Sequence, residues 1–282
     1  MYQFPIGVMV DSFRCEMHEA IRRAAGIGAK GLQMYATHGD YSPENLTPTA
    51  RRELLDFVKS NGLVFSALCG DLGKGFTNPE LNPALIEKSK RILDLACELE
   101  TDVVTTHIGV VPEDKTCERY SIMQEACREL AEYADSLGAH FAIETGPETA
   151  VILRDFLDSL GSRGVAVNLD PANFVMVTGD DPVRAVYTLK DYIVHTHAKD
   201  GVKLKGCDVA GLYEGIEEAI QAGKAFVELP LGKGGVDFDN YLKALDEIGY
   251  RGFLTIEREV GEDPARDIAE AARFLEAKIA AL

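Results

Sequence analysis

The 282-residue chain lacks the marks of several function classes. Its six cysteines (Cys15, Cys69, Cys97, Cys117, Cys127 and Cys207) are scattered, and no C-x-x-C occurs. That excludes the thiolate zinc sites and dithiol redox pairs that need this spacing. No apolar stretch approaches the ~20 residues of a membrane-spanning helix. The start, "MYQFPIGVMVDSF", has neither the basic opening nor the long apolar run of a secretory signal. The expectation is a cytoplasmic protein with reduced thiols and no membrane partner. Basic charge is also scarce. Lys plus Arg number 29 against 46 Asp plus Glu, a net charge of −17 with no dense basic run. Such a surface repels phosphate backbones, so no nucleic-acid partner is expected.

What is present is ordinary globular composition, 46% hydrophobic and 27% charged. A chain of this size builds its core without a metal or disulfide staple, so a metal here would serve chemistry rather than folding. Short β-rich runs alternate with helical periods. The runs are "IGVMV" before Asp11, then 30–35, 63–69, 102–107, 140–144, 165–170, 192–197 and 253–257. Several are apolar throughout, as strands buried on both faces should be. Thr47-Pro48 reads as an N-cap followed by Pro at the first helical position, with Gly62 as the stop. Ile122, Ala126, Leu130, Ala134 and Leu137 mark one helix face, closed by Gly138. Tyr241, Leu242, Leu245 and Ile248 mark another. Asp263-Pro264 opens the last helix, with Ile268, Ala271, Ala272 and Leu275 facing inward.

Eight strands each followed by a helix predict an α/β fold, a (β/α)8 TIM barrel, as a single domain over 1–282. An open doubly wound sheet would carry a G-x-G-x-x-G after its first strand. "VMVDSFRCEM" has none. One connection is long: a loop insertion over 200–236, after strand seven, expected to carry extra elements across the barrel mouth.

In such a barrel the functional residues sit at the C-terminal strand ends. Those ends are Asp11, Tyr35, Cys69, His107, Glu144, Asp170, His197 and Glu257. Buried charge is costly unless paired or bound to metal. Each residue has a plain alternative. Glu144 could cap the next segment, and Asp170 could form an Asx-turn before Pro171. His197 could be a satisfied histidine, and Glu257 could pair with Arg258. Together, Glu144, Asp170, His197 and Glu257 place metal-type side chains on the last four strands. Three carboxylates and one imidazole suit Mn2+ first, with Mg2+, Co2+ or Zn2+ as alternatives. His195 has the strand parity of His197 and should point into the barrel one layer below.

The segments "AIETGPE", "VNLDPAN", "HTHAKD", "LGKGGVDFDNYLKALDEIGYRG" and "LTIERE" resemble, in that order, those of the xylose-isomerase-like sugar phosphate isomerases and epimerases. The resemblance implies one divalent metal held by Glu144, Asp170, His197 and Glu257, with Glu144 and Glu257 also acting as acid and base. Asn173 stands where the family often has His, and His107 matches a strand-four histidine that contacts substrate. The apurinic-site endonucleases of the superfamily need more histidines; Cys69 stands where one of them would be. "HAKDGVKLKG" offers Lys199, Lys203 and Lys205 where the epimerases tend to carry Arg. Lys233, on its glycine-rich segment, could hold an anionic group, and Lys199 and Glu148 could bind hydroxyls. Asp11 and Tyr35 are candidates for the mouth.

The implied chemistry is proton abstraction beside a carbonyl, through an enediolate that the metal stabilises as a Lewis acid. The expected function is therefore a divalent-metal-dependent isomerase or epimerase, of the ketose 3-epimerase type, acting on a sugar, sugar phosphate or polyol. Loss of hydroxide from the same intermediate gives the alternative, an inosose-type dehydratase. A non-catalytic barrel subunit or binding protein is the alternative from another class. The family-level quaternary expectation is a homodimer or homotetramer.

Overall fold

The structure, a computed structural model, describes residues 3–204 and 225–282. Eight parallel strands close into a barrel: β1 (Ile6–Met9), β2 (Gly31–Tyr35), β3 (Val64–Cys69), β4 (Val103–Thr106), β5 (His140–Glu144), β6 (Val165–Leu169), β7 (Ile193–Ala198) and β10 (Leu254–Ile256). They run round it in the order β1-β10-β7-β6-β5-β4-β3-β2. The helices outside are α1 (Met17–Gly26), α2 (Pro48–Ser60), α3 (Asn82–Glu98), α4 (Glu118–Leu137), α5 (Ala150–Leu160), α6 (Pro182–Leu189), α7 (Phe238–Glu247) and α8 (Pro264–Ala281). The (β/α)8 expectation holds, and each strand lies inside or within a residue of its expected run.

The helix ends follow the local signals. Thr47 accepts from Ala50 N–H with Pro48 behind it, and Asp237 and Asp263 cap α7 and α8 through Asn240 and Arg266 N–H. Gly138 ends α4 at φ 67°, a left-handed conformation that favours glycine. The inward stripe of α4 stops one turn early. Ala126, Leu130 and Ala134 are buried, but Leu137 is exposed. It is the last residue of the helix, next to the Gly138 cap.

Two strand pairs of the barrel carry irregularities. Registers shift between Leu32 and Gln33 on the β2–β3 pair and between Val167 and Asn168 on the β6–β7 pair. Such bulges redirect the residues beside them. Deeper in the barrel, Ala67, Val103, Ala142 and Ala166 form a small apolar cluster.

The long connection starts as an antiparallel hairpin, β8 (Asp200–Lys203) with β9 (Phe226–Leu229). The remainder of the expected insertion at 205–224, Lys205 and Cys207 included, lies outside the described residues. Asp200 anchors the hairpin. Its fully buried carboxylate accepts from the N–H groups of Gly201, Gly232, Gly234 and Val236 at 2.9–3.1 Å.

Candidate metal centre

Glu144 ends β5, Asp170 follows β6, His197 lies near the end of β7 and Glu257 follows β10. One donor atom from each comes within 4.8 Å of all the others, and all four side chains are buried. His197 Nδ1 is the hub. It lies 3.2 Å from Glu257 Oε2, 3.6 Å from Glu144 Oε1 and 3.8 Å from Asp170 Oδ2.

The sequence-level alternatives resolve one by one. Asp170 does make the turn: its Oδ1 accepts from Ala172 and Asn173 N–H at 2.8 and 3.2 Å. The other oxygen, Oδ2, is buried without a hydrogen bond, and so is His197 Nδ1. Glu144 is not a cap, since Thr149 caps α5. Glu257 does not pair with Arg258. Arg258 is taken by Glu228 at 2.7 Å and Asp267 at 3.1 Å, while Glu257 faces Lys199 Nζ at 3.0 Å.

The residues present fit a divalent cation. Buried polar atoms are nearly always hydrogen-bonded, yet Asp170 Oδ2 and His197 Nδ1 turn toward the same point without partners. The donor set, three carboxylates and one imidazole, is that of a hard to borderline metal. This buried cluster could hold a metal ion. The charges respond to one another in the same sense. Burial opposes the charge on His197, but Glu257 and Glu144 outweigh it and hold the imidazole well above its usual range. Burial would raise Glu257, but Lys199 and His197 hold it below the usual carboxylate range. Burial likewise opposes the low pKa of Glu144, which His107 and His197 enforce.

A cavity of about 380 Å³ opens on the cluster, with Tyr35, Asp71, His107, Asn173, Lys199 and Phe226 among its walls. The expected contact residues distribute unevenly. His107 faces the cavity, with Nδ1 3.1 Å from Asp71 Oδ2 and Nε2 3.6 Å from Glu144 Oε1. Burial opposes its charge, but Glu144 and Asp71 push its pKa up to about 10. Asn173 also faces the cavity; its Nδ2 donates to Thr145 O at 3.0 Å and to Glu144 Oε1 at 3.3 Å. Lys199 is buried between Glu257 and Glu259. Tyr35 lines the cavity, whereas Asp11 accepts from its backbone N–H from outside.

Two expected contact residues stand apart from those walls. Glu148 is buried behind them, accepting from Val111 N–H at 3.3 Å, and burial pushes its carboxyl up to about 8. Lys233 is exposed on the turn after β9, and the glycine N–H groups around it already hold the Asp200 carboxylate. The anion that those N–H groups hold is an internal one.

Residues not singled out in the sequence complete the surroundings. Gln33, Thr105, Asn168 and Thr255 are fully buried beneath the cluster, with His195 among them. Asp71 holds His107. Gln33 in "KGLQMY" and Asn168 in "VAVNLD" are polar interruptions of apolar strands, a signal legible in the sequence.

The family description "xylose isomerase-like TIM barrel" matches residues 21–278. The chain belongs to that family. It is 26% identical over 158 residues to an inosose dehydratase of Clostridium perfringens, covering 52% of this chain and 51% of that one. It is 24% identical over 247 residues to an Escherichia coli protein named as an inferred L-ribulose-5-phosphate 3-epimerase, covering 81% and 79%. A xylose isomerase domain protein of Planctomyces limnophilus superposes with a TM-score of 0.78 at 24% identity, covering 100% and 99%. Among the described residues no helix is long and apolar enough to cross a membrane.

Proposed function

We propose that this protein is a divalent-metal-dependent isomerase or epimerase acting on a small sugar, sugar phosphate or polyol. One observation carries the reading. Four ligand-type side chains from four barrel strands converge within 4.8 Å, beneath a cavity of substrate size. Two of their donor atoms make no hydrogen bond in the protein. A purely structural barrel gains nothing from burying three carboxylates this closely, which argues against the non-catalytic reading.

Glu144, Asp170, His197 and Glu257 would hold the ion, with Mn2+ the first choice. When bound, it supplies Lewis acidity toward a substrate carbonyl and neighbouring hydroxyl. Glu144 and Glu257 stand on strands separated by β7 and β6 in the barrel order. From there each reaches the substrate from its own side. One would take the proton beside the carbonyl; the other, protonated from solvent through the open cavity, would return one to the opposite face, which inverts the carbon. His107 and Asn173 position substrate hydroxyls. Lys199 holds Glu257 in place and ionised.

A dehydratase is the second reading. It is favoured by the similarity to an inosose dehydratase, although that match spans about half of each chain. Both readings share the first proton abstraction. The test is exchange of a substrate C–H with solvent deuterium, across ketoses, ketose phosphates and inososes with added Mn2+. Exchange should disappear with chelator and in Glu144→Gln or Glu257→Gln variants that still bind metal. Retained exchange in both variants rejects the acid–base roles. An enone or diketone product would select dehydration.

A further inference from the structure

Beneath the candidate metal centre lies a polar layer whose hydrogen bonds have a readable direction. Asn168 Nδ2 lies 3.1 Å from Glu144 Oε2, and Asn168 Oδ1 lies 2.9 Å from His195 Nδ1. An ionised carboxylate only accepts, so the Asn168 amide must turn its NH2 to Glu144 and its oxygen to His195. His195 therefore donates through Nδ1 and accepts at Nε2 from the Thr255 hydroxyl, 2.9 Å away. This branch of the layer is fixed.

The Asn168 NH2 also lies 3.3 Å from His197 Nε2. Acting alone it would make Nε2 an acceptor and drive the ring proton onto Nδ1, the nitrogen that faces Glu144, Asp170 and Glu257. A ring in that tautomer cannot offer Nδ1 to a metal. The opposing contact is Gln33 Oε1, 3.0 Å from the same Nε2. Gln33 Nε2 in turn donates to Thr105 Oγ1 at 2.8 Å. A threonine hydroxyl can donate or accept, so it permits either Gln33 orientation. Only the orientation with Oε1 toward His197 leaves Nδ1 bare.

We propose that Gln33 is a positioning residue that accepts the Nε2–H of His197, overrides Asn168 and leaves Nδ1 as the ligand atom. The inference rests on the metal-centre reading above and assigns to β2 a part that the four ligand strands do not supply. The partner of a ligating histidine's second nitrogen sets its tautomer and orientation, and its loss costs roughly 10- to 100-fold in metal affinity.

The test measures Mn2+ affinity of the full chain by titration, in wild type, Gln33→Met and Gln33→Glu. Methionine keeps the volume and removes the acceptor; glutamate keeps an acceptor oxygen. Gln33→Met is expected to lose roughly tenfold or more in affinity. Gln33→Glu should stay close to wild type. Nitrogen-15 spectra of the Zn2+-loaded wild type should show His197 with its proton on Nε2. Should Gln33→Met not fold, Thr105→Val loosens the Gln33 amide and should weaken Mn2+ binding less. Wild-type affinity in Gln33→Met, or a Nδ1–H ring in the Zn2+-loaded protein, overturns the assignment while leaving the metal centre intact. A wild type that binds neither ion overturns both.

Discussion

Lys199 Nζ stands 3.0 Å from Glu257 Oε2 and 2.7 Å from Glu259 Oε2, with Lys199 and Glu257 both buried. The ammonium thus shares Glu257 Oε2 with His197 Nδ1, which lies 3.2 Å from the same oxygen. It is the first of the two charges that keep Glu257 ionised against burial. Lys199→Met removes it, so the Glu257 pKa rises. The acid limb of the pH dependence of kcat/KM is expected to move to higher pH by about one unit or more. Lys199→Arg keeps the charge and should restore part of the shift. An acid limb that stays in place in Lys199→Met would show that Lys199 does not act through Glu257.

His107 owes part of its raised pKa of about 10 to Asp71, whose Oδ2 lies 3.1 Å from Nδ1. Asp71 is itself held by Gly73 N–H at 2.8 Å. Asp71→Asn keeps an acceptor and removes the charge. The His107 pKa should fall by about one unit, leaving Glu144 as the main cause of the remaining rise. A proton NMR titration of the ring in metal-free protein reads this directly. An unchanged midpoint would mean that Glu144 alone sets the charge of His107.

Much of the fold was legible because barrel strands are buried on both faces and helix caps are local. Thr47-Pro48, Gly138 and Asp263-Pro264 each act through contacts within one turn. The four-ligand cluster was legible for a related reason, since charge at the end of an apolar run needs a partner. What stayed hidden depends on distant chain segments. Gln33 meets His197 across 164 residues, through a bulge that no local pattern announces. The turn around Lys233 shows the same dependence on distant segments. Its glycines do present N–H groups to an anion, but the anion is Asp200, 32 and 34 residues before Gly232 and Gly234.

Glu148 gives the structure a stability term of predictable sign. Burial raises its carboxyl from 4.5 to about 8. The folded state therefore holds a proton that the unfolded chain releases above 4.5. The folded state binds more protons in that window, so stability falls as pH rises from 4.5 to about 8, then levels off. Glu148→Gln keeps an oxygen for Val111 N–H and cannot ionise. Its advantage over wild type should be small at pH near the lower limit and grow to on the order of a few kcal/mol at the upper one. Urea unfolding at both ends of the window checks it, and a pH-independent difference would reject the buried-acid explanation.

Asp200 is the other internal charge with a clear cost of removal. Its two oxygens accept four backbone N–H bonds, tying the start of the β8–β9 hairpin to the turn before α7. A side chain at Gly234 would press its Cβ against Oδ1 of that carboxylate. Asp200→Ala leaves the N–H groups unsatisfied and is expected to cost roughly 3–5 kcal/mol, at the upper end of single substitutions. Asp200→Asn retains one acceptor oxygen and turns an NH2 toward the remaining donors, so it should recover little of the loss. Lys233→Ala, beside the same glycines but exposed, should change stability by no more than about 0.5 kcal/mol. Denaturant unfolding of the three variants gives the comparison. If Lys233→Ala proved the costliest, the turn would be organised around the lysine and not around Asp200.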